Sequence, residues 1–458
     1  MKKKWCALFI VVALTFSTTN NTVQAAVTKE YQNSLINQDK VKSYEGQLLV
    51  ALGDSIGTGY LLENAENESY VSKLSKALNM QKENYAVNGR TSDELLDSLL
   101  EGKDNEKIKE ASVITVSIGG NDIMIPLIGM VESFLPDGKS IDTASSDELS
   151  NAGERLISGE KDSEIKSQLS AKVKIFNENF PKIIDEIKTI NPKAQIVVQT
   201  IYNPFSNALF LDHPYELLNP YLLEINNEIL GLKDKENYMV ADIYKDTEEI
   251  SAFQIVNLEN YDIHPNKKGH NIMFLANYKL LTDSYPYNIS SELNNISVDI
   301  KYSEDTISPK ITLTAKEGYA LPGKITVVHD DGSSQNIWLD SDSKKNGLIT
   351  ISSEKLYSDI ILKGDAEKIE TSGESKEVLN PTSTVNDNNN NNKEYGNNIK
   401  AYNNYIKGEN TSKVSKEQGT DEKSASYKTG DSRVKLLIST ISIALLGIVL
   451  KSRRKIMK

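Results

Sequence analysis

Cysteine is almost absent from this 458-residue chain, and its one cysteine, Cys6, lies close to the start. If residues 1–25 are removed by processing, no thiol remains, which excludes a disulfide framework and a cysteine nucleophile. Histidine is also scarce, with four residues in the chain. Among them His213, His270 and His329 show no spacing typical of metal ligands. We therefore expect the protein to need no metal and no organic cofactor.

A concentrated basic surface is missing as well. The chain has 52 Lys and Arg residues against 64 Asp and Glu residues, and its formal net charge is −12. Binding to a phosphate backbone requires clustered Lys and Arg side chains. The composition therefore argues against a nucleic-acid partner.

The two ends of the chain indicate export and attachment to a cell surface. Residues 1–25 combine three lysines, a short apolar stretch and the small-residue pattern Val23–Ala25, which is typical of a cleaved signal peptide. An uncleaved N-terminal anchor is the alternative. Near the other end, Leu436–Leu450 is apolar and is followed by basic residues, which is typical of a stop-transfer segment.

The C-terminal segment also resembles a sortase sorting signal. Thr429-Gly430 precedes the apolar stretch, as in such signals, but Ser426-Tyr427 stands where Leu-Pro is expected. Covalent linkage to a cell wall and a plain membrane tail both stay open. Either way, we expect a secreted protein held at the surface of a Gram-positive bacterium.

The interior of the chain predicts an α/β fold followed by a smaller unit. Buried parallel strands are predicted at Leu48–Leu52, Val113–Ile118 and Ile196–Thr200, because these runs are almost continuously apolar. Helical spacing lies between them, which favours a three-layer α/β/α sandwich with a parallel sheet, of the flavodoxin-like type. The predicted divisions are a signal peptide at 1–25, an N-terminal lead at 26–45, the α/β domain at 46–288, a small all-β module at 289–370, a disordered Asn-, Ser- and Lys-rich stalk at 371–430 and the hydrophobic anchor with its basic end at 431–458.

The most informative motif is Gly53-Asp54-Ser55, which ends the first predicted strand and enters a Gly-rich turn. A serine at the carboxyl end of a parallel strand lies where open α/β sheets place their binding sites. The triplet alone is a weak signal. Three further blocks end strands or loops at the same predicted sheet edge, and they contain Gly89, Asn121 and His264.

These four blocks supply the groups that acyl transfer requires. Ser55 and His264 can act as nucleophile and general base. The backbone N–H groups of Ser55 and Gly89, with the Asn121 amide, can bind an oxyanion. In their order along the chain the blocks resemble the SGNH hydrolase superfamily, also called GDSL esterases and lipases. The resemblance covers about 46–288 and implies these same roles for the four residues.

One position departs from the pattern of that superfamily. The aspartate that orients the histidine usually stands three residues before it, where this chain has Tyr261; Asp262 lies two residues before His264. Asp262 is our candidate for the third catalytic residue, and a backbone carbonyl is the alternative. We expect Asp54 and Asp122 to brace loops by accepting backbone N–H bonds.

Two further segments are predicted near the site. The apolar residues from Ile123 to Leu135 either line an acyl pocket, form a lid or belong to an ordinary buried helix. The polar stretch Asp137–Lys166 is interpreted as an insertion over the active-site edge, where loops carry specificity.

The sequence thus predicts a surface-attached serine esterase or acylhydrolase that acts on a lipid, a small acyl ester or an acetylated glycan. An O-acetyl deacetylase of wall or host glycans is one alternative. A non-catalytic adhesin that keeps a hydrolase fold is another.

Overall fold

The computed structural model describes residues 36–369, except 141–142, 209–210, 259–261 and 302–306. The predicted signal peptide, stalk and C-terminal anchor lie outside the described residues, as does Tyr261. Within the described ranges, no helix is both long and apolar enough to span a bilayer.

A five-stranded parallel sheet forms the centre of the N-terminal domain, in the order β2-β1-β3-β4-β5. This confirms the predicted fold class. The middle strands are buried along most of their length, as continuous apolar runs require. The strands are β1 Leu48–Gly53, β2 Gln81–Asn84, β3 Val113–Ser117, β4 Gln195–Gln199 and β5 Met239–Ala241.

Thirteen helices accompany this sheet in the described part of the chain. They are α1 Gln38–Tyr44, α2 Ser55–Thr58, α3 Ala65–Glu68, α4 Tyr70–Ala77, α5 Ser92–Glu101, α6 Asn105–Glu110, α7 Gly120–Glu132, α8 Ser146–Ile157, α9 Asp162–Ile190, α10 Asp212–Leu232, α11 Ile243–Thr247, α12 Ala252–Ile255 and α13 Lys267–Thr282. One group packs around α13 and includes α4, and the other packs around α9 and includes α5, α7 and α10. The two groups form the outer layers of the sandwich.

The stretch from Asp137 to Lys166, which the sequence analysis interprets as an insertion over the active-site edge, is largely helical. It contains α8 and the first turn of α9, and α8 packs against α7. The helix begins with a capping box in which the Ser145 N–H donates to the Glu148 carboxylate. Leu149 and Ala152 are buried and form a narrow apolar stripe, which explains how this helix packs. The polar composition of the segment concealed this stripe in the sequence.

A second, smaller unit follows α13 and consists of small β-sheets with a short helix. Its elements are β6 Ile289–Asn294, β7 Ile296–Lys301, β8 Lys310–Ala315, β9 Tyr319–Ala320, β10 Lys324–His329, β11 Ser334–Trp338, α14 Ser341–Asn346, β12 Leu348–Thr350, a 3-10 turn at Ser353–Lys355, β13 Ile360–Asp365 and β14 Glu367–Lys368. Its largest sheet has the order β11-β10-β13-β6, and β13 pairs with β6 in parallel. We call this unit the β-module; helix α14 is an addition to the all-β prediction.

Candidate active site

The position of Ser55 follows from how β1 ends. Gly53 has a φ of +128°, and a Cβ atom there would lie 1.9 Å from the Ser117 carbonyl oxygen, so only glycine fits. Asp54 then caps α2 by accepting the Ile56 N–H, and Ser55 is the first residue of that helix. The Ser55 N–H therefore has no partner within its own helix.

A chain of hydrogen bonds joins Ser55, His264 and Asp262. Ser55 Oγ lies 2.7 Å from His264 Nε2, and His264 Nδ1 lies 2.8 Å from Asp262 Oδ1. All three residues are about 95% buried. The structure thus places the Asp262 carboxylate, rather than a backbone carbonyl, on the Nδ1 side of the imidazole. A carboxylate there fixes the tautomer that leaves Nε2 able to accept the serine proton.

The loop that holds His264 is anchored on both sides. The Asn257 N–H donates to the His264 carbonyl at 3.0 Å, and Tyr202 donates its hydroxyl to the Ile263 carbonyl at 2.7 Å. The Tyr60 ring meets the imidazole edge-on, with centroids 4.8 Å apart. Tyr60 and Tyr202 were not among the predicted site residues. Tyr202 closely follows β4, which ends at the sheet edge, whereas Tyr60 follows the helix α2.

The predicted oxyanion donors lie on neighbouring segments. Asn121, in the first turn of α7, donates one Nδ2 hydrogen to the Arg90 carbonyl at 2.9 Å, which leaves its second hydrogen for another acceptor. Gly89 precedes Arg90 in a turn and has a φ of +80°. Ser55, Asn121 and His264 all line one cleft, and Gly89 lies in the adjacent turn that Asn121 binds.

Asp54 and Asp122 brace loops, as predicted. Asp54 accepts the Ile56 N–H at 3.0 Å, while Asp122 accepts both the N–H and the hydroxyl of Ser92, at 3.0 and 2.6 Å. Burial raises the pKa of Asp54 to about 7, and it raises the pKa of Asp122 to about 6 against the hydrogen bonds from Ser92. Both carboxyl groups therefore hold structure beside the site.

The cleft is partly open to solvent, and its lining is mainly apolar. Its apolar lining comes from Ile56, Ile118, Ile123, Met124, Ile201, Tyr202, Pro204, Leu218, Leu222, Ile263 and Met273. Of the run from Ile123 to Leu135, only the first two residues line the cleft. Leu127, Met130 and Val131 are buried in the helical layer instead. The start of this run thus lines the cleft, and its continuation in α7 is an ordinary buried helix.

The remaining histidines stand apart from this cleft. His270 is fully buried against Tyr70, His329 stacks on Tyr357 in the β-module, and His213 is half-buried beside Asp162. Within the described ranges, no group of three or more His, Cys, Asp or Glu side chains is arranged to hold a metal ion.

Comparison with known proteins shows that this domain is similar to a known family. The model of the GDSL-like Lipase/Acylhydrolase family matches residues 51–272. A curated relative, the uncharacterized protein YpmR of Bacillus subtilis (strain 168), is 24% identical over 250 residues, which are 53% of this chain and 84% of the relative.

Solved structures are similar over about half of this chain. A phospholipase A1 from Streptomyces albidoflavus NA297 is 14% identical with a TM-score of 0.36, and the match covers 49% of this chain and 94% of that one. An extracellular lipase from Streptomyces rimosus is 17% identical with a TM-score of 0.33, covering 52% and 100%. The residues that match the model of the GDSL-like Lipase/Acylhydrolase family, 51–272, include Ser55, Asn121 and His264.

Proposed function

We propose that this domain hydrolyses carboxylic esters through an acyl-enzyme formed on Ser55. The observation that carries the proposal is the hydrogen-bonded series Ser55 Oγ, His264 and Asp262 at the wall of an apolar cleft. A serine hydroxyl is a weak nucleophile at neutral pH, and an adjacent imidazole held by a carboxylate activates it.

Each group has a defined task in the proposed reaction. Ser55 Oγ attacks the ester carbonyl while His264 Nε2 takes the hydroxyl proton, and Asp262 stabilises the resulting imidazolium. His264 then gives the proton to the departing alcohol, and later activates a water that releases the acid.

The oxyanion of each tetrahedral intermediate accepts hydrogen bonds from two backbone N–H groups and one side chain in this proposal. These are the N–H groups of Ser55 and Gly89 and the free Nδ2 hydrogen of Asn121. Removing one such donor typically costs about 10²–10³ in turnover.

The lining of the cleft favours esters of longer acyl chains over acetyl esters. An acetyl group would leave most of the surface of Ile201, Leu218 and Leu222 without a partner, whereas each buried methylene contributes about 0.8 kcal/mol. We therefore rank an acylhydrolase above an O-acetyl deacetylase. A nitrophenyl ester series from acetate upward tests this ranking, since activity that peaks at acetate supports the deacetylase.

Labelling with a fluorophosphonate tests the nucleophile. The parent protein should be labelled, Ser55→Ala should not, and Ser75→Ala should label like the parent because Ser75 is a buried serine on α4, away from the cleft. Absence of labelling in the parent, or equal labelling of Ser55→Ala, contradicts Ser55 as the nucleophile, and absence of labelling favours the non-catalytic adhesin.

We also propose that the protein is exported and retained at the cell surface. Support comes from the sequence of residues 1–25 and of the apolar, basic-ended segment 431–458. A chain that ends at Thr429 should then appear in the culture medium, while the full chain stays with the cells. Retention of the shortened chain would contradict the proposed attachment.

A further inference from the structure

One polar side chain in the cleft has no part in the proposed hydrolytic steps. Gln199 ends β4, is 2% exposed and lines the cleft. Its Nε2 has no hydrogen-bond partner within the described part of the chain. A buried amide donor left unpaired costs about 1–3 kcal/mol, so a ligand atom that accepts its hydrogen bond is favoured.

The other polar residues at this sheet edge already have partners. The β3–β4 pairing ends at Val116 and Val198, so Ser117 and Gln199 follow side by side on the same face of the sheet. The Ser117 hydroxyl donates to Asp54 Oδ1 at 3.4 Å. Gln199 has no such carboxylate.

Thr200, the next residue along the chain, is also satisfied. Its hydroxyl donates to Asp242 Oδ1 at 2.9 Å and accepts the Tyr244 N–H at 2.9 Å. Among the residues that line the cleft in the described ranges, Gln199 alone carries a fully buried polar side-chain atom with no partner.

The lining of the cleft that contains Gln199 is mainly apolar. Ile201, Leu222 and Met273 line the same cavity and offer no strong acceptor. A plain alkyl chain bound there would leave the Gln199 donor unpaired, whereas an oxygen atom within the acyl chain would accept its hydrogen bond.

We propose that Gln199 is a specificity-determining residue that selects acyl groups carrying an acceptor oxygen, such as an ether, keto or hydroxyl oxygen, over plain alkyl groups of equal length. The inference rests on the proposed function, because it requires the acyl group of an ester to occupy the cleft. Gln199 contacts the acyl chain in this view and takes no part in the transfer of protons.

A series of ester substrates, each with one ether oxygen at a different position of the acyl chain, tests the inference. Nitrophenyl octanoate is compared with isosteric esters in which an ether oxygen replaces each methylene in turn, and kcat/KM is measured for each ester. One position should exceed octanoate about 3- to 10-fold, which is the range expected for one neutral hydrogen bond. Gln199→Leu should abolish this preference and raise kcat/KM for octanoate itself.

Two further variants make the result specific. Gln195 lies on the same strand outside the cleft, where its side chain accepts a hydrogen bond from the Tyr44 hydroxyl. The variant Gln195→Leu should therefore keep the preference. Gln199→Glu keeps the shape of the side chain but replaces the donor by an acceptor, so it should lose the preference even if the leucine variant does not fold.

The possible failures can be told apart. Hydrolysis of all esters with no favoured oxygen position, or a preference that survives in both Gln199 variants, overturns the inference and leaves the proposed function intact. Absence of hydrolysis of every ester, together with absence of labelling that depends on Ser55, overturns the proposed function and the inference with it.

Discussion

A single oxygen atom of Asp262 makes two contacts with His264. Oδ1 lies 2.8 Å from the ring Nδ1 and accepts the His264 N–H at 2.6 Å. The short spacing of two residues allows both contacts, because a carboxylate can reach the backbone two residues further on. The same side chain therefore shapes the loop and orients the ring.

Replacing this carboxylate by an amide tests the need for its charge. In Asp262→Asn the side-chain oxygen can keep both contacts with His264, but it no longer carries the negative charge that stabilises the imidazolium. We expect turnover of an ester to fall by up to about 10⁴-fold with little change in thermal stability. Asp340→Asn, at the cap of α14, is the control. Turnover within tenfold of the parent would show that another group orients the ring.

His270 offers a prediction about stability and pH. It is fully buried, and burial lowers its pKa from 6.5 to about 3, with His264 and Lys73 adding to the effect. Between these values the unfolded chain binds a proton that the folded chain does not. This residue therefore destabilises the fold as the pH decreases from about 6 towards 3, by up to about 1.4 kcal/mol per pH unit.

His270→Gln should flatten that part of the stability curve, because glutamine can accept the Tyr70 N–H without titrating. The measurement is the free energy of unfolding in urea at pH 7, 6, 5 and 4. Burial raises the pKa of Asp54, so this residue stabilises the fold as the pH decreases, opposite to His270. The contribution of His270 is therefore the difference between the stability curves of the parent and the variant. The half-buried His213→Gln is the control. Parallel curves for parent and His270→Gln would rule out this role.

At the residue scale, the sequence predicted those site residues whose proposed chemistry requires particular side-chain types. Ser55, Asn121 and His264 could be named because each ends a strand or a loop in a distinct motif. Gln199 could not be found this way, since its importance depends on what its amide lacks. A missing partner arises from three-dimensional packing and leaves no local pattern.

Helix α13 connects the two units of the structure. It begins three residues after His264, and its buried Asn271 donates to the Leu356 carbonyl of the β-module at 2.8 Å. The Asn271 oxygen accepts bonds from Lys73 and from the Tyr287 hydroxyl. One side chain thus links α4, α13 and the β-module.

Asn271→Ala should lower the free energy of unfolding by about 3 kcal/mol, because it leaves several buried polar groups unpaired. The parent should unfold in one transition that is the same by helical circular dichroism and by fluorescence of Trp338, the only tryptophan left once residues 1–25 are removed. Asn294→Ala, at an exposed bond within the β-module, is the control. Separate transitions in the parent would show that the two units are independent.

At the element scale, apolar runs predicted β1, β3 and β4 to within about one residue. The edge strand β2, Gln81–Asn84, was missed because its side chains are polar and it is stabilised by pairing with β1. The three-residue β5 is too short to give a pattern. The close contact between α13 and the β-module was not predicted either, because no sequence pattern indicates a contact between segments that are far apart along the chain.

For the whole molecule, the proposed hydrolytic steps lead to a prediction about chelators. Ester hydrolysis and melting temperature should stay within experimental error after dialysis against EDTA, because the proposed steps use only protein groups. Loss of activity that is restored by Ca²⁺, Mg²⁺ or Zn²⁺ would contradict this. The predictions for both chain ends lie outside the described residues and stay predictions.

The hydrogen bond between Asn271 and Leu356 also has a consequence for folding during synthesis of the chain. Its two partners are 85 positions apart, so α13 emerges from the ribosome well before the carbonyl group that it binds. A nascent chain that ends within the β-module therefore holds every residue of the proposed catalytic centre but lacks one support of the helix that follows His264. The hydrogen bond from Asn271 can therefore form only after the chain has been synthesised as far as Leu356.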